Sequence, residues 1–481
     1  MRKSSACRHG DLQLDVSAHA GQAEFARPPP AKRIAAATPS GRVEPGQGTA
    51  AQALTTTFPG PLVLPDDDLA SDPACPPQSL RSWLRDKNRN PLTAQRKTLY
   101  LAATPRITRD VAFMTRWAAP KHQPRSQKPL ASPSAADVAA YLRAFYHPLE
   151  VRLLPQTLSF VSWDGEDDDG DATATDQHVG LREGSPPSAG VTRIRTRACP
   201  DDVFARQLNL NDVLDAADAA LPADAYALLI LTDQDLFEDD DDDFCCGRAY
   251  GASRVAVVSA ARYHPHLDDE EEVEGGCDAR AIDRRHMWPA SHCKEYVDRL
   301  CSAAVGGEMA RGGKKKKGGK AGVKAGVIDL EHKLAVEATP LGAAVEAARA
   351  TSDLDVDLGG LWLSRVARTT VHELGHCFCL DHCVYYACVM QGTAGLAEDA
   401  KQPPYLCPVC LKKLTRALAD VVGKRDADEG RLVADRYAAL AMFCEAWPRV
   451  AMFAGFRAWL EKRLESLASA EPESRKMCLN K

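Results

Sequence analysis

Residues 371 to 390 read VHELGHCFCLDHCVYYACVM, and this stretch constrains the chain more than any other. It packs three histidines, a glutamate, four cysteines and a methionine into twenty positions. His372 and His376 stand four residues apart, so on a helix they lie on one face, one turn apart, and two imidazole nitrogens can reach one ion. Glu373 points roughly 100° away from His372, too far round to join that shell but close enough to take a proton from a water at the metal. A helix supplies only two such ligands. His382, six residues beyond His376, supplies the third if the chain turns sharply where the helix ends, and a fourth position is left for water. Three protein ligands with one open position is the catalytic arrangement of zinc, which lowers the pKa of its water toward ~7 and polarises a carbonyl. By composition alone HExxH would occur in roughly two of a hundred such chains, and with the further histidine at plus six in about one in a thousand, so chance is a poor account of it.

Immediately after His382 come Cys383 and Cys388, then Cys407 and Cys410 in CPVC. Two cysteine pairs separated by a loop, the second a CxxC, have the spacing of a closed zinc site with four thiolate ligands. Such a site keeps no position for water, so the second metal is structural. It staples the segment after the helix, which has little core of its own, to the helix expected from Cys410. Buried free thiols or a redox CxxC are the alternatives. The remaining cysteines, among them Cys245, Cys246 and Cys444, show no ligand spacing and read as packing residues.

The 481 residues suffice for one large core with extensions or for several domains. A net charge of -6 and a pI of about 6.1 give no overall basic field, so nucleic acid is not the expected partner. No apolar stretch approaches the roughly 20 residues that span a bilayer, and the N-terminus lacks the apolar region of a secretory signal. The sixteen cysteines are therefore expected in a reducing, intracellular compartment, cytoplasmic or nuclear, where clustered cysteine reads as metal ligand.

Residues 1 to 55, rich in Ala, Pro, Gly and Arg, are expected to be a disordered tail. Residues 164–192, 268–280 and 306–327, together with the acid run Glu238 to Asp243, look like charged insertions in surface loops. Lys314 to Lys317 is also open to a reading as a nuclear-import or polyanion patch. Between them, 97–102, 149–154, 225–231 and 254–259 read as strands, and 135–146, 208–221 and 291–305 as helices. Strands alternating with helices predict an α/β sheet with helices packed against it.

The whole string HExxHxxCxxHCx4CxMx16CxxC closely resembles the signature of the archaemetzincins, a metzincin-type family of zinc metallopeptidases. Two departures stand out: Cys379 replaces the glycine of HExxHxxGxxH, and the last spacer is one residue short. The similarity extends to FPGPLVLPDDDLASDP (58–73), SLRSWLRDKNRNPLT (79–93), LTDQDLF (231–237), CGRAYGASRVAVVSAARY (246–263), CPVCLKKL and the later DRYAAL.

This resemblance implies a metzincin-like mixed twisted sheet with flanking helices and a C-terminal subdomain stapled by the four-cysteine zinc. It implies a catalytic zinc on His372, His376 and His382, Glu373 as general base, a structural zinc on Cys383, Cys388, Cys407 and Cys410, and Met390 flooring the metal site. The expected organisation is a 56–95 extension, a 96–420 catalytic domain with insertions, and a 421–481 helical region.

The expected activity is hydrolysis of peptide bonds in a peptide or protein substrate, with an aminopeptidase-like preference implied by the resemblance. Arg254 to Ser259 is the expected strand edge for the substrate backbone. The alternatives are an inactive zinc-stapled scaffold, in which Cys379 marks a drifted site, and a redox sensor built on Cys377, Cys379 and Cys383.

Overall fold

The computed structural model describes residues 11–44, 55–121, 129–163, 178–184, 190–269, 282–311, 338–351, 356–422 and 429–478. Its centre is a five-stranded sheet with the order β10-β11-β8-β1-β3. The strands are β1 (Thr98–Ala102), β3 (Glu150–Leu153), β8 (Ala225–Thr232), β10 (Gly247–Ala249) and β11 (Val255–Ser259). All neighbours pair parallel except β10, which runs antiparallel to β11 and forms one edge.

The inner parallel strands β1, β8 and β11 are apolar on both faces because both faces are covered. Leu99 and Leu101 of β1, Leu229 and Leu231 of β8, and Ala256 and Val258 of β11 enter one core. Tyr100 and Ala102, Leu228 and Ile230, and Val255 and Val257 enter the other, the period of two that a pleated strand imposes.

The first core is closed by helices α4 (Ala135–Phe145) and α8 (Leu358–Cys377), and by α11 (Glu429–Glu445) and α12 (Ala451–Cys478) behind them. Trp459 of α12 stacks on Tyr405 at 4.5 Å and meets Phe58 edge-on at 5.5 Å, which ties both ends of the chain to one core. The second core is closed by α5 (Leu210–Ala219) and by a six-stranded sheet of, in spatial order, β2 (Arg106–Ile107), β4 (Leu158–Val161), β5 (His178–Glu183), β6 (Val191–Ala198), β7 (Arg206–Asn209) and β9 (Asp235–Phe237). The expected α/β sheet with flanking helices is present, with this second, mainly antiparallel sheet added to it.

Three expectations are corrected. The tail is not disordered over 11–44: Ser17 N–H donates to Leu62 O, Arg27 Nε to Tyr385 O, and Phe25 packs with Val63 and Val384. Its composition cannot build a core, but three or four apolar side chains suffice to lie on a core that others have built. The 164–192 insertion contains β5 (His178–Glu183) and the first residues of β6 (Val191–Ala198), which pair antiparallel. Val179 and Leu181 of β5 are buried, as is Ile194 between two arginines of β6, a short apolar signal masked by the polar runs around it.

The helix expected over 208–221 begins at Leu210, because Leu208 and Asn209 end strand β7 (Arg206–Asn209) and the Asn209 side chain caps the helix. Residues 270–280 and 312–327 of the other two insertions lie outside the described residues. Asp268, the first residue of one of them, is a buried partner of Arg365.

Candidate metal centre

Helix α8 is capped by Asp357, whose carboxylate accepts the Gly360 N–H at 2.9 Å. Its buried face packs on β11 and α4 through Leu363, Val366, Ala367, Val371 and Leu374. Two buried arginines anchor its middle, Arg365 to Asp268 and Arg368 to Asp399. The helix ends in a Schellman turn: Leu380 N–H donates to Gly375 O at 3.1 Å and Cys379 N–H to His376 O at 2.8 Å. Cys379 sits at φ 59°, the left-handed position that normally favours glycine, at a cost of about 1 kcal/mol for a side chain there. The sharp turn needed to bring His382 back is therefore made without the glycine.

The described part of 56–95 grips this turn. Trp83 Nε1 donates to Phe378 O at 2.9 Å, and Gln78 Nε2 to Cys379 O at 3.0 Å. Gln78 Oε1 in turn accepts from the Asp381 N–H at 3.2 Å and from Lys413 Nζ at 2.5 Å.

The turn brings His372, His376 and His382 together, one nitrogen of each within 4.8 Å of the others. His372 Nδ1 lies 2.7 Å from Val389 O and His376 Nδ1 2.7 Å from Leu380 O. Each carbonyl can only accept, so both rings carry their proton on Nδ1 and present a bare lone pair at Nε2. Those two Nε2 atoms face each other at 3.1 Å, where neither has a proton to give. Two lone pairs so placed repel unless a cation lies between or beside them, so the arrangement of the trio fits a metal ion. Burial pushes all three imidazoles below their ordinary pKa, His376 to about 4, which keeps them neutral as ligands must be. Met390 is fully buried against the helix between the two ligand positions. A Cβ on Gly375 would come within 2.4 Å of its sulfur, so glycine there makes the close approach possible.

Glu373 faces β10. Burial pushes its carboxyl up to about 8, against the pull of the Arg248 charge and the Ala249 N–H. Gly247, Arg248 and Ala249 line a cleft of about 520 Å³ together with Glu373 and the three histidines. Thr393, Ala394, Gly395, Leu396, Asp399 and Gln402 line it as well. The free sheet edge beside the site is thus β10 and not Arg254 to Ser259: β11 is an inner strand, covered on one side by β10 and on the other by β8. Arg248, ion-paired with Glu238, was missed in the sequence; the short CGRAYG run has too few residues to declare itself as a strand.

Cys383, Cys388, Cys407 and Cys410 converge in the same way, their sulfurs within 4.8 Å of one another and all buried. None is in a disulfide, and Cys383 Sγ lies 3.5 Å from Cys407 Sγ. Hydrogen bonds from Cys388, Cys407 and Cys410 hold the Cys383 thiol well below its usual range, while burial pushes Cys388 and Cys407 up. Four buried sulfurs on a common centre, with the Cys407 N–H donating to Cys388 Sγ at 3.2 Å, fit a tetrahedral thiolate-bound metal. Cys245, Cys246 and Cys444 stand apart from both groups among the described residues.

The comparisons with known proteins meet the chain at these two groups. The model of peptidase family M54 matches residues 352–416. Archaemetzincin-2 of Macaca fascicularis is 41% identical over 69 residues, 14% of this chain and 19% of that protein. Archaemetzincin-2 of Homo sapiens gives the same identity and coverage. Archaemetzincin of Thermococcus kodakarensis is 39% identical over 62 residues, 13% of this chain and 33% of that protein. The chain thus matches about a fifth of the length of the first two relatives. Among solved structures, archaemetzincin from Methanopyrus kandleri covers 68% of this chain and 98% of its own at 16% identity, with a TM-score of 0.30. The similarity is therefore carried by the helix with His372 and His376, the turn after it and the cysteine cluster, and over that segment the chain is similar to the archaemetzincins and matches the model of peptidase family M54.

Proposed function

We propose that this chain is a zinc-dependent metallopeptidase with two zincs, one catalytic on His372, His376 and His382 and one structural on the four cysteines. The observation that carries the reading is the pair of Nε2 lone pairs facing each other at 3.1 Å beside a buried carboxylate in an open cleft. Zinc at the trio supplies a Lewis acid that acidifies water and polarises a carbonyl. Glu373 takes the proton of the attacking water and delivers it to the leaving amine. A substrate strand adds to the free edge of β10, and aminopeptidase-like trimming is the cleavage preference to test first. We place the protein inside the cell, cytoplasmic or nuclear, where ligand thiols stay reduced.

The test pairs zinc content with hydrolysis of a mixed fluorogenic peptide library, in wild-type and Glu373→Gln. Two zincs in both, with hydrolysis only in the wild-type, supports the reading. One zinc, indifferent to loss of His382 but lost with Cys407, and no hydrolysis, would establish the inactive scaffold instead. The redox-sensor reading is weakened because burial pushes the Cys377 thiol up and the Cys379 thiol to about 12, so neither is a thiolate at neutral pH.

A further inference from the structure

The three histidines are not held alike. His372 and His376 each have Nδ1 fixed by a backbone carbonyl, whereas among the described residues no hydrogen bond fixes the ring of His382. That ring stands on a loop and not on the helix, so it has most need of a partner. Asp68 approaches it. A Cβ on Gly392 would lie 2.8 Å from His382 Nδ1 and 2.2 Å from Asp68 Oδ2, so imidazole and carboxylate converge on the same buried glycine, no farther apart than those two distances combined.

Asp68 is itself firmly placed. Its N–H donates to Glu398 Oε2 at 2.8 Å, and the same oxygen accepts the Ala394 N–H at 2.8 Å. Its neighbour Asp67 closes the preceding turn by accepting the Leu64 N–H at 2.7 Å. Among the described residues Asp68 forms no ion pair with Lys or Arg, and the ring its carboxylate approaches across Gly392 is that of His382. A carboxylate at Nδ1 keeps the proton on that nitrogen, aims the Nε2 lone pair at the other two histidines and makes it a stronger donor.

From this geometry we propose that Asp68 is the positioning residue of His382, and that the segment carrying it, well outside the HExxH region, belongs to the metal site. The inference rests on the reading of the trio as a zinc site. Segment and signature lie more than three hundred residues apart in the chain, and Gly392 is required because any side chain there would separate the two groups.

The test uses the full chain and two metals, Zn2+ in competition with a chromogenic chelator and Co2+ for its visible spectrum. Wild-type, Asp68→Asn, Asp68→Ala, Asp68→Glu and His382→Ala are compared, with the thermal midpoint of each metal-free protein. Asp68→Asn and Asp68→Ala are expected to weaken one of the two zincs by about 10 to 100-fold. They should also shift the nitrogen-ligand bands of Co2+ and leave the thiolate charge-transfer bands untouched, with Asp68→Glu recovering part of the affinity. Should Asp68→Ala fail to fold, the isosteric Asp68→Asn carries the test. Wild-type affinity and spectrum in Asp68→Asn would overturn the proposal while leaving the trio intact. Equal zinc content in wild-type and His382→Ala would overturn the zinc reading and this inference with it.

Discussion

The ion pair between Arg368 and Asp399 offers the most exacting test of how the active helix is held. Arg368 Nη2 donates to Asp399 Oδ2 at 2.5 Å, and the side chains are 1% and 12% exposed. At an effective dielectric near 20 two charges about 4 Å apart attract by about 4 kcal/mol, and desolvation of two ions consumes much of that. The pair as a whole is then close to neutral for stability, while a single survivor is expensive. The survivors differ. Asp399→Leu leaves the guanidinium sealed in protein and should cost about 3–5 kcal/mol. Arg368→Met leaves a carboxylate at the cleft wall, where water can reach it, and should cost about 1–3 kcal/mol. The double variant should lose less than Asp399→Leu alone. Urea unfolding of the zinc-loaded wild-type and the three variants gives the cycle. Equal losses for the two single variants, or a double variant that loses their sum, would refute the reasoning.

Other expectations are simpler to check. Glu373→Gln should keep both zincs and lose about 10²–10⁴-fold in peptide hydrolysis. Cys407→Ser should lose one zinc and lower the thermal midpoint by on the order of 10 °C, whereas His382→Ala should lose the other with a smaller change, read by metal analysis and calorimetry. His292 is fully buried, its Nε2 has no partner among the described residues, and burial pushes its imidazole down to about 4. The folded protein therefore binds fewer protons than the unfolded chain between pH 6.5 and 4. Its contribution to stability is intact above pH 6.5 and falls progressively toward pH 4, by about 3 kcal/mol. The phenyl ring of His292→Phe should remove that much of the acid sensitivity in denaturation at pH 7 and pH 4; an unchanged difference would refute the assignment.

What could be read from the sequence depended on how local the signal was. Four of the five strands of the central sheet were legible because each is a short apolar run bounded by turn formers, and the convergence of the histidine and cysteine groups because their spacing is that of metal ligands. The second sheet was not: β5 lies between charged runs, and β2 (Arg106–Ile107) and β9 (Asp235–Phe237) are too short to carry a pattern. The edge strand β10 was missed for the same reason, and the substrate edge was assigned to its better-marked neighbour. The packing of residues 11–44 was illegible in principle, since its partners, Leu62, Tyr385 and Val384, lie far along the chain. Asp68 escaped notice likewise, since nothing in DDDLASDP refers to a histidine three hundred residues later.

Cys379 is the residue on which an active and a drifted site part company, and the surroundings of the turn bear on the choice. A side chain at φ 59° costs about 1 kcal/mol. Against it stand both Schellman hydrogen bonds and those from Trp83 and Gln78, each contributing about 0.5–1.5 kcal/mol. The left-handed turn is thus held by more than the glycine it lacks, and His382 reaches the other two histidines regardless. Relaxed selection on an abandoned site would be expected to loosen the turn, the carbonyl bonds to His372 and His376, or the burial of Glu373. All of these are intact, and the exchange at 379 is confined to the one position where the rest of the turn absorbs it. Cys379→Gly should therefore leave zinc affinity at the trio within about threefold of wild-type. A tenfold gain on that substitution would mean that the cysteine does strain the third ligand, and would return weight to the scaffold.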